Sequence, residues 1–165
     1  MGFVAGRAVT TAADDVPDTD DNGEKVSAGS FWPDIALRDV RMEMRINGAV
    51  TTTRLKHVVI EAVAHVTDQL ARWQTSQEQA GYTTLDAVPA RLINGENVKI
   101  YRYRRAVFSI TRALLIENYR DVDTTGDTGE KRAAGLTLQA ADLWRDARWA
   151  IADILGAERN FTEAF

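Results

Sequence analysis

The chain has 165 residues, of which 45% are apolar and 27% are charged, and its formal net charge is −4. These values are typical of one globular domain large enough to bury a core, and they argue against broad nonspecific DNA binding. The absence of cysteine excludes disulfides, zinc–thiolate sites and thiol catalysis. No apolar run approaches the roughly 18 residues of a membrane span. The N-terminus lacks the features of a signal peptide, so we expect the protein to be made and used in a reducing cytoplasm, without membrane contact.

Residues 1–30 are expected to form a flexible N-terminal arm. Acidic residues stand there among glycine, serine, threonine and proline with no apolar periodicity, which is typical of disordered chain. The arm is either solvated or becomes ordered against a neighbouring subunit. The spacing of its aspartates does not support a calcium loop.

A short helix is predicted after the apolar residues Phe31 and Trp32. Asp34 is a suitable N-cap, and Asn47-Gly48 provides a stop after about Ile46. The residues expected to face inward on this helix are Leu37, Val40, Met44 and, less clearly, Met42.

A longer amphipathic helix is predicted from an N-cap within Thr51–Thr53 to Gly81. Its apolar residues recur every three or four positions, at Leu55, Val58, Val59, Ala62, Val63, Val66, Leu70 and Trp73. His57 and His65 lie eight residues apart on this helix, and we interpret them as boundary or surface histidines.

Residues 82–95 are predicted to connect this helix to the next. Pro89 prevents a continuous helix, and Asn94-Gly95 predicts a turn. The apolar residues expected to hold the connector on the core are Leu85, Val88, Leu92 and Ile93.

A third helix is predicted from about Glu96 to Arg120. Its apolar stripe comprises Ile100, Tyr103, Val107, Ile110 and Leu114. Its basic side comprises Lys99, Arg102, Arg104, Arg105 and Arg112. This side is either a solvated face that pairs with local acids, or a contact with a subunit or with DNA.

The last helix is predicted from about Glu130 to Leu155, with Gly156 as its stop. Trp144 is expected in the core of the protomer, and Trp149 nearer the edge, where it would touch the first helix or a neighbouring subunit. The preceding loop matches an EF-hand at positions one, three and six only. Arg132 occupies the position that requires a bidentate glutamate, so calcium binding is not predicted.

No catalytic constellation is present: the chain lacks GxSxG, HExxH and P-loop motifs, and its two histidines share one helix. We therefore predict neither an enzyme nor a bound cofactor or metal.

Four stretches resemble the head completion protein of P2-like tailed phages, a family of head-to-tail connector adaptors. They are FWPDIALRDVRMEMRINGAVTTTRL, AGYTTLDAVPARLINGENVKIYRYRRAV, ENYRDVD and ADLWRDARWAIADILG. The resemblance covers Phe31 to Gly156, and the arm before it and the tail after it do not match clearly. It implies a mainly helical adaptor in a dodecameric ring beneath the portal protein. Such a ring retains packaged DNA, which passes through its lumen, and presents a surface to a tail completion, terminator or head-closure protein.

The predicted protein is therefore all-α, roughly a four-helix bundle, with arms at both ends. Its units are the arm 1–30, a helical adaptor domain 31–156 and a C-terminal tail 157–165, and its place is the virion neck. The expected portal contacts are Phe161, Phe165, Arg159 and Asn160. The expected subunit contacts are Phe31, Trp32, Trp149, Arg102 and Arg105.

Two other functions remain open from the residues alone. The first is a helical DNA-binding regulator that uses the Arg102–Arg112 basic face, which would show strong salt-dependent binding to duplex DNA. The second is a small helical hydrolase, which would need a pocket with convergent carboxylates of shifted pKa.

Overall fold

The computed structural model describes residues 20–120 and 127–156. Within these ranges the helices are α1 (Leu37–Glu43), α2 (Thr52–Gln69), α3 (Ala71–Gln79), α4 (Val98–Arg120) and α5 (Asp127–Leu155). Two short antiparallel pairs join β1 (Lys25–Val26) to β2 (Ile35–Ala36) and β3 (Leu92–Ile93) to β4 (Glu96–Asn97). The mainly helical prediction is confirmed. The four-helix arrangement is not, because one expected helix is divided and the two strand pairs were not expected.

Helix α4 lies at the centre of the core, against both α2 and α5. The predicted stripe is buried at Ile100, Tyr103, Val107 and Ile110, whereas Leu114 is half-buried. Opposite α4, α5 contributes Ala147, Ala150, Ile151 and Ile154, and α2 contributes Leu55, Val59 and Val66. Each large apolar side chain that is fully buried in this way stabilises the fold by roughly 1.5–3 kcal/mol. The small alanines of α5 leave room for a close approach of the helices.

The first helix begins later than predicted. Residues 35–36 pair with Lys25 and Val26 as a strand, so α1 starts at Leu37, and Asp34 is not its N-cap. It ends before Asn47, since Arg45 adopts a left-handed conformation with φ 53°. Val40 faces inward as expected, but Met42 is 54% exposed and Arg41 is buried in its place.

The long second helix is divided at Leu70. The N-cap prediction is confirmed, since the Thr51 hydroxyl accepts a hydrogen bond from the Arg54 amide. At Leu70 the backbone leaves the helical region (φ −96°, ψ 3°), which separates α2 from α3. Its amide and carbonyl stay paired with Val66 and Gln74, so the bend costs little hydrogen bonding. Helix α3 ends before Gly81, whose φ of +96° suits glycine at a helix stop.

A two-residue hairpin leads into α4. Asn94 and Gly95 both have positive φ (54° and 75°), which confirms the predicted turn and fits the type I′ geometry of such hairpins. Asn97 is buried and caps α4 by accepting from the Lys99 amide at 2.8 Å. Leu85 and Val88 of the connector are buried as expected, but the hairpin residues are exposed: Leu92 at 68% and Ile93 at 51%.

Residues 20–30 belong to the folded body, which corrects the expectation of a flexible arm over 1–30. Val26 is buried, the carboxylate of Asp21 is fully buried, and Glu24 forms an ion pair with Lys56 of α2 at 2.7 Å. Residues 1–19 lie outside the described residues, and the prediction of flexibility stays a prediction for them. No helix in the described ranges has the length and apolar character needed to cross a bilayer.

Candidate interaction surfaces

The basic side of α4 is paired largely with groups of the same protomer. The guanidinium of Arg104 lies 3.0 Å from the carboxylate of Glu96, and Arg105 lies 3.8 Å from Asp146 of α5. Arg112 donates to the backbone carbonyl of Met44. These partners support the interpretation of a face that pairs with local acids, and they disfavour a DNA-binding stripe, whose arginines would have to remain available to phosphates.

The C-terminal end of α5 is held by cations from the first turns of α4. Lys99 Nζ donates to the Ile154 carbonyl at 2.7 Å, and Arg102 Nε lies 3.8 Å from the Asp153 carboxylate. Positive charge at this end complements the helix dipole and the terminal carbonyls, which have no partner within the helix itself. Burial, and then the nearby charge of Arg102, lower the pKa of Lys99. Gly156 follows with φ 71°, so the helix stops where the sequence predicted.

A buried ion pair that sequence reasoning missed joins the N-terminal segment to α1 and α2. Arg41 donates from Nε and Nη2 to the two carboxylate oxygens of Asp21, at 2.9 and 2.7 Å. The Thr52 hydroxyl donates to the same carboxylate at 2.7 Å, and Arg41 Nη1 reaches the carbonyls of Asn47 and Val50. The Asn22-Gly23 turn beside Asp21 was the available signal, but nothing local identified Asp21 among its acidic neighbours.

Two predicted subunit contacts, Phe31 and Trp32, lie inside the protomer. They are 4% and 3% exposed, and the Trp32 ring stacks on Tyr103 of α4 with ring centroids 4.9 Å apart. The Trp32 indole nitrogen donates to the Gln74 side chain at 2.9 Å. This placement corrects the prediction: both aromatic side chains stabilise the protomer, and neither offers an exposed surface to a neighbour.

The other predicted contact residues of the described part lie at or near the surface. Trp149 is half-buried, with the guanidinium carbon of Arg145 5.0 Å from its ring centroid. Arg102 and Arg105 are 25% and 36% exposed and pair with α5 as described above. The expected portal contacts, which are Arg159, Asn160, Phe161 and Phe165, lie outside the described residues.

A groove lies where the β3–β4 hairpin meets the start of α4. It has a volume of about 540 Å³, and Ile93, Val98 and Tyr101 form its apolar part. Its remaining lining is mostly charged: Arg91, Arg102, Arg105, Glu96 and Asp153, with Asn94. We call this site the hairpin groove. Sequence reasoning missed it because Ile93 was expected to face the core.

The described residues do not assemble a catalytic or metal centre. They contain no group of three or more histidine, aspartate or glutamate side chains placed to hold a metal ion. Burial raises the pKa of Asp21, but the hydrogen bonds from Arg41 and Thr52 and the charge of Arg41 outweigh it, so the pKa lies below its ordinary value. This carboxylate is held in an ion pair and does not open into a pocket, so it lends no support to the hydrolase alternative.

Comparison with known proteins then decides the family. The family model described as "Phage head completion protein (GPL)" matches residues 26–165. The chain belongs to the phage head completion protein family. It is 38% identical over 129 residues to the "Head completion/stabilization protein" of Escherichia phage P2. The aligned residues cover 78% of this chain and 76% of that relative. No solved structure matches the chain.

The head completion family match is longer than the resemblance found in the sequence. It begins at residue 26, so it includes part of β1, and it continues through the tail to residue 165. The expectation that the match stops at Gly156 is therefore corrected. Family membership supports a structural role in completing the phage head.

Proposed function

We propose that this protein is a structural subunit of the phage head-to-tail connector. In this proposal it assembles as a ring beneath the portal protein, helps retain packaged DNA and provides the surface to which the tail attaches. The single observation that carries the proposal is the head completion family match over residues 26–165. The similarity to the phage P2 head completion/stabilization protein supports it further.

The geometry of the protomer suits a building block of an assembly. Ion pairs join α4 to α5, from Arg102 to Asp153 and from Arg105 to Asp146. They favour a protomer whose backbone changes little when it binds partners. Large apolar side chains are exposed on separate elements, at Met42, Ile60, Leu92, Tyr101 and Leu138. A ring subunit needs two different faces for its neighbours and further surface for other partners, because ring contacts are heterologous.

We assign the contacts of the proposed ring as follows. Trp149, Arg102 and Arg105 are the candidates for contact with the neighbouring subunit, and the tail 157–165 is the candidate for contact with the portal. The ring is a dodecamer, DNA passes through its lumen, and its far side receives a tail completion, terminator or head-closure protein. It is assembled in the host cytoplasm and resides in the virion neck.

The tail is proposed as the portal anchor because of its aromatic residues. Phe161 and Phe165 are large apolar groups in a nine-residue segment, and aromatic side chains of this kind are enriched in interfaces. One such segment binds weakly, since ordering it costs free energy. Several segments presented by one ring engage together, and their high effective concentration makes the joint stable.

The test is negative-stain imaging of the purified protein mixed with its portal protein. We expect ring-shaped density on the tail-side end of the portal, absent from images of portal alone. The protein alone and the protein mixed with duplex DNA are imaged in the same way as controls. A protein that leaves the portal bare and instead binds duplex DNA with strong salt dependence would contradict the connector proposal and favour the DNA-binding regulator.

A further inference from the structure

The hairpin groove presents apolar side chains that the protomer leaves uncovered. Ile93 is 51% exposed and Tyr101 is 58% exposed, although both are bulky and lie in the lining of one concave site. Exposed apolar groups that are grouped and rimmed by polar residues mark binding surfaces more often than scattered ones do. The groove therefore has the character of a site that receives another segment.

The charges of the groove favour an occupant with negative groups. Its lining contains three arginines, at positions 91, 102 and 105, and two carboxylates, from Glu96 and Asp153. Glu96 is paired with Arg104 and Asp153 with Arg102, and Arg105 lies 3.8 Å from Asp146, which leaves Arg91 as the lining arginine outside these ion pairs. Arg91 is exposed at the rim. An apolar segment that carries carboxylates would match both the apolar part and the basic rim.

The chain's own C-terminal segment starts beside this groove. Asp153 lines the groove, and α5 ends at Leu155, only two residues later. The nine residues 157–165 follow Gly156. A chain of nine residues reaches up to about 30 Å when extended, so the segment is long enough to cross the groove mouth. The end of α5 is fixed by Lys99, so the segment departs from a defined point.

We propose that residues 157–165 fold back and bind in the hairpin groove of their own protomer. Their sequence, AERNFTEAF, supplies two phenylalanines for Ile93 and Tyr101 and two glutamates for the basic rim. Aromatic rings pack well against aliphatic and aromatic side chains and under guanidinium groups. Because the segment is tethered, its effective concentration near the groove is on the order of millimolar, so even weak contacts suffice.

One consequence rests on the proposed function. If the same segment anchors the protein to the portal, it cannot bind the groove and the portal together. The groove then stores the segment in the free protomer, and portal binding draws it out. Groove binding itself is measured on the isolated protein, so its failure is distinguishable from a failure of portal docking.

A pair of introduced cysteines tests the proposal cleanly, because the full chain contains none. The double variant Ile93→Cys, Phe161→Cys is oxidised at low protein concentration. Its products are analysed by mass spectrometry and by non-reducing electrophoresis. The matched control replaces Ile93→Cys with Ile60→Cys, at a similarly exposed position on α2 outside the groove. We expect an intramolecular disulfide that forms at least about tenfold faster than in the control.

Each other outcome overturns the proposal. Equal rates in the two pairs would show that the segment has no preference for the groove. A disulfide that links two protomers would assign the groove to the segment of a second copy.

A second variant tests the charge argument. Arg91→Glu, added to the pair Ile93→Cys and Phe161→Cys, should slow cross-linking severalfold. Arg38→Glu, at an exposed position of α1, should not. An unchanged rate with Arg91→Glu would remove the charge complementarity on which the proposal depends.

Discussion

Asp21 has a left-handed backbone conformation, with φ 52°, and its carboxylate is fully buried against Arg41. A buried charge is costly unless its partner and remaining hydrogen bonds are in place, and here the pair is bidentate with Thr52 as a further donor. The pair fastens residues 20–24 to α1 and α2, together with the ion pair between Glu24 and Lys56.

The first prediction removes the charge of Asp21 and keeps its shape. Asp21→Asn should lower the free energy of unfolding by about 3–5 kcal/mol, because Arg41 is left buried without its counter-charge. Asparagine tolerates the left-handed conformation, so the backbone is not the cause. Urea unfolding followed by circular dichroism measures the loss. Asp20→Asn, at an exposed site, is the control, and a loss below about 1 kcal/mol in Asp21→Asn would contradict the assignment.

The second prediction concerns how the free energy of unfolding depends on pH. The pKa of Asp21 is lower in the folded protein than its ordinary value of 3.8, so its contribution to stability is fully present above that value. It is lost as the pH falls through the folded pKa. The difference in unfolding free energy between the native chain and Asp21→Asn should therefore narrow as the pH falls below about 4. A difference that stays constant over this range would show that the ion pair is not its source.

The third prediction concerns Tyr103. Its hydroxyl is buried and has no hydrogen-bond partner among the described residues, and burial, followed by the charge of Asp34, raises its pKa. The unpaired hydroxyl carries a desolvation cost, whereas the ring stacks on Trp32. Tyr103→Phe should leave the free energy of unfolding unchanged or raise it by up to about 1 kcal/mol. A clear loss in thermal or urea unfolding would mean that the hydroxyl has a bound partner, such as an ordered water.

Among the elements, α2, α4 and α5 are linked by Trp144. From α5 its indole nitrogen donates to the Glu117 carboxylate of α4 at 2.7 Å, and its ring meets His65 of α2 edge-on, with centroids 5.3 Å apart. Trp144 is half-buried beside the core, whereas Trp149 stacks under Arg145 on α5 itself. The two tryptophans therefore make different contacts, although both are half-buried, so Trp144 lies beside the core and not, as expected, within it.

The fourth prediction compares these two tryptophans. Trp144→Ala should lower the free energy of unfolding by about 3 kcal/mol, since it removes a large side chain that joins α2, α4 and α5. Trp149→Ala should cost less than about 1 kcal/mol, because its ring mainly contacts a surface arginine. Thermal unfolding of both variants and of the native chain measures the two losses of stability. If Trp144→Ala melted normally and only assembly failed, the two roles would be reversed.

In the whole molecule, the helical body ends at Gly156 and the tail follows it. Among the described residues, α2, α4 and α5 already bury a continuous core. We therefore expect this body to fold without the tail, which leaves the tail free to serve an interaction. Folding and interaction are then separable by truncation.

The fifth prediction is the effect of removing residues 157–165. Helicity should be unchanged, and the free energy of unfolding should fall by less than about 1 kcal/mol, because a tethered segment with weak contacts contributes little. Docking on the portal should fail, since the proposed anchor is gone. Circular dichroism and negative-stain imaging with portal provide the two measurements. A truncated protein that still docks and still retains packaged DNA would move the anchor elsewhere, with the N-terminal arm as the next candidate.

Features that depend on near neighbours along the chain could be predicted from the amino-acid sequence. Apolar residues at helical spacing located the helices, Thr51 capped α2, Asn94-Gly95 turned the hairpin, and Gly156 ended α5. The resemblance over residues 31–156 also indicated the correct family. These features are local or recur as a pattern, so one sequence is sufficient to predict them.

Features that depend on residues distant in the chain emerged only from the folded protein. Asp21 meets Arg41 across 20 positions, and Lys99 meets Ile154 across 55, and no local pattern encodes either contact. Nor does periodicity tell which apolar residues remain exposed: Trp32 is buried within the protomer, whereas Ile93 faces the hairpin groove. Burial is settled by the packing of whole elements against each other, and the sequence specifies that packing only through the sum of all its contacts.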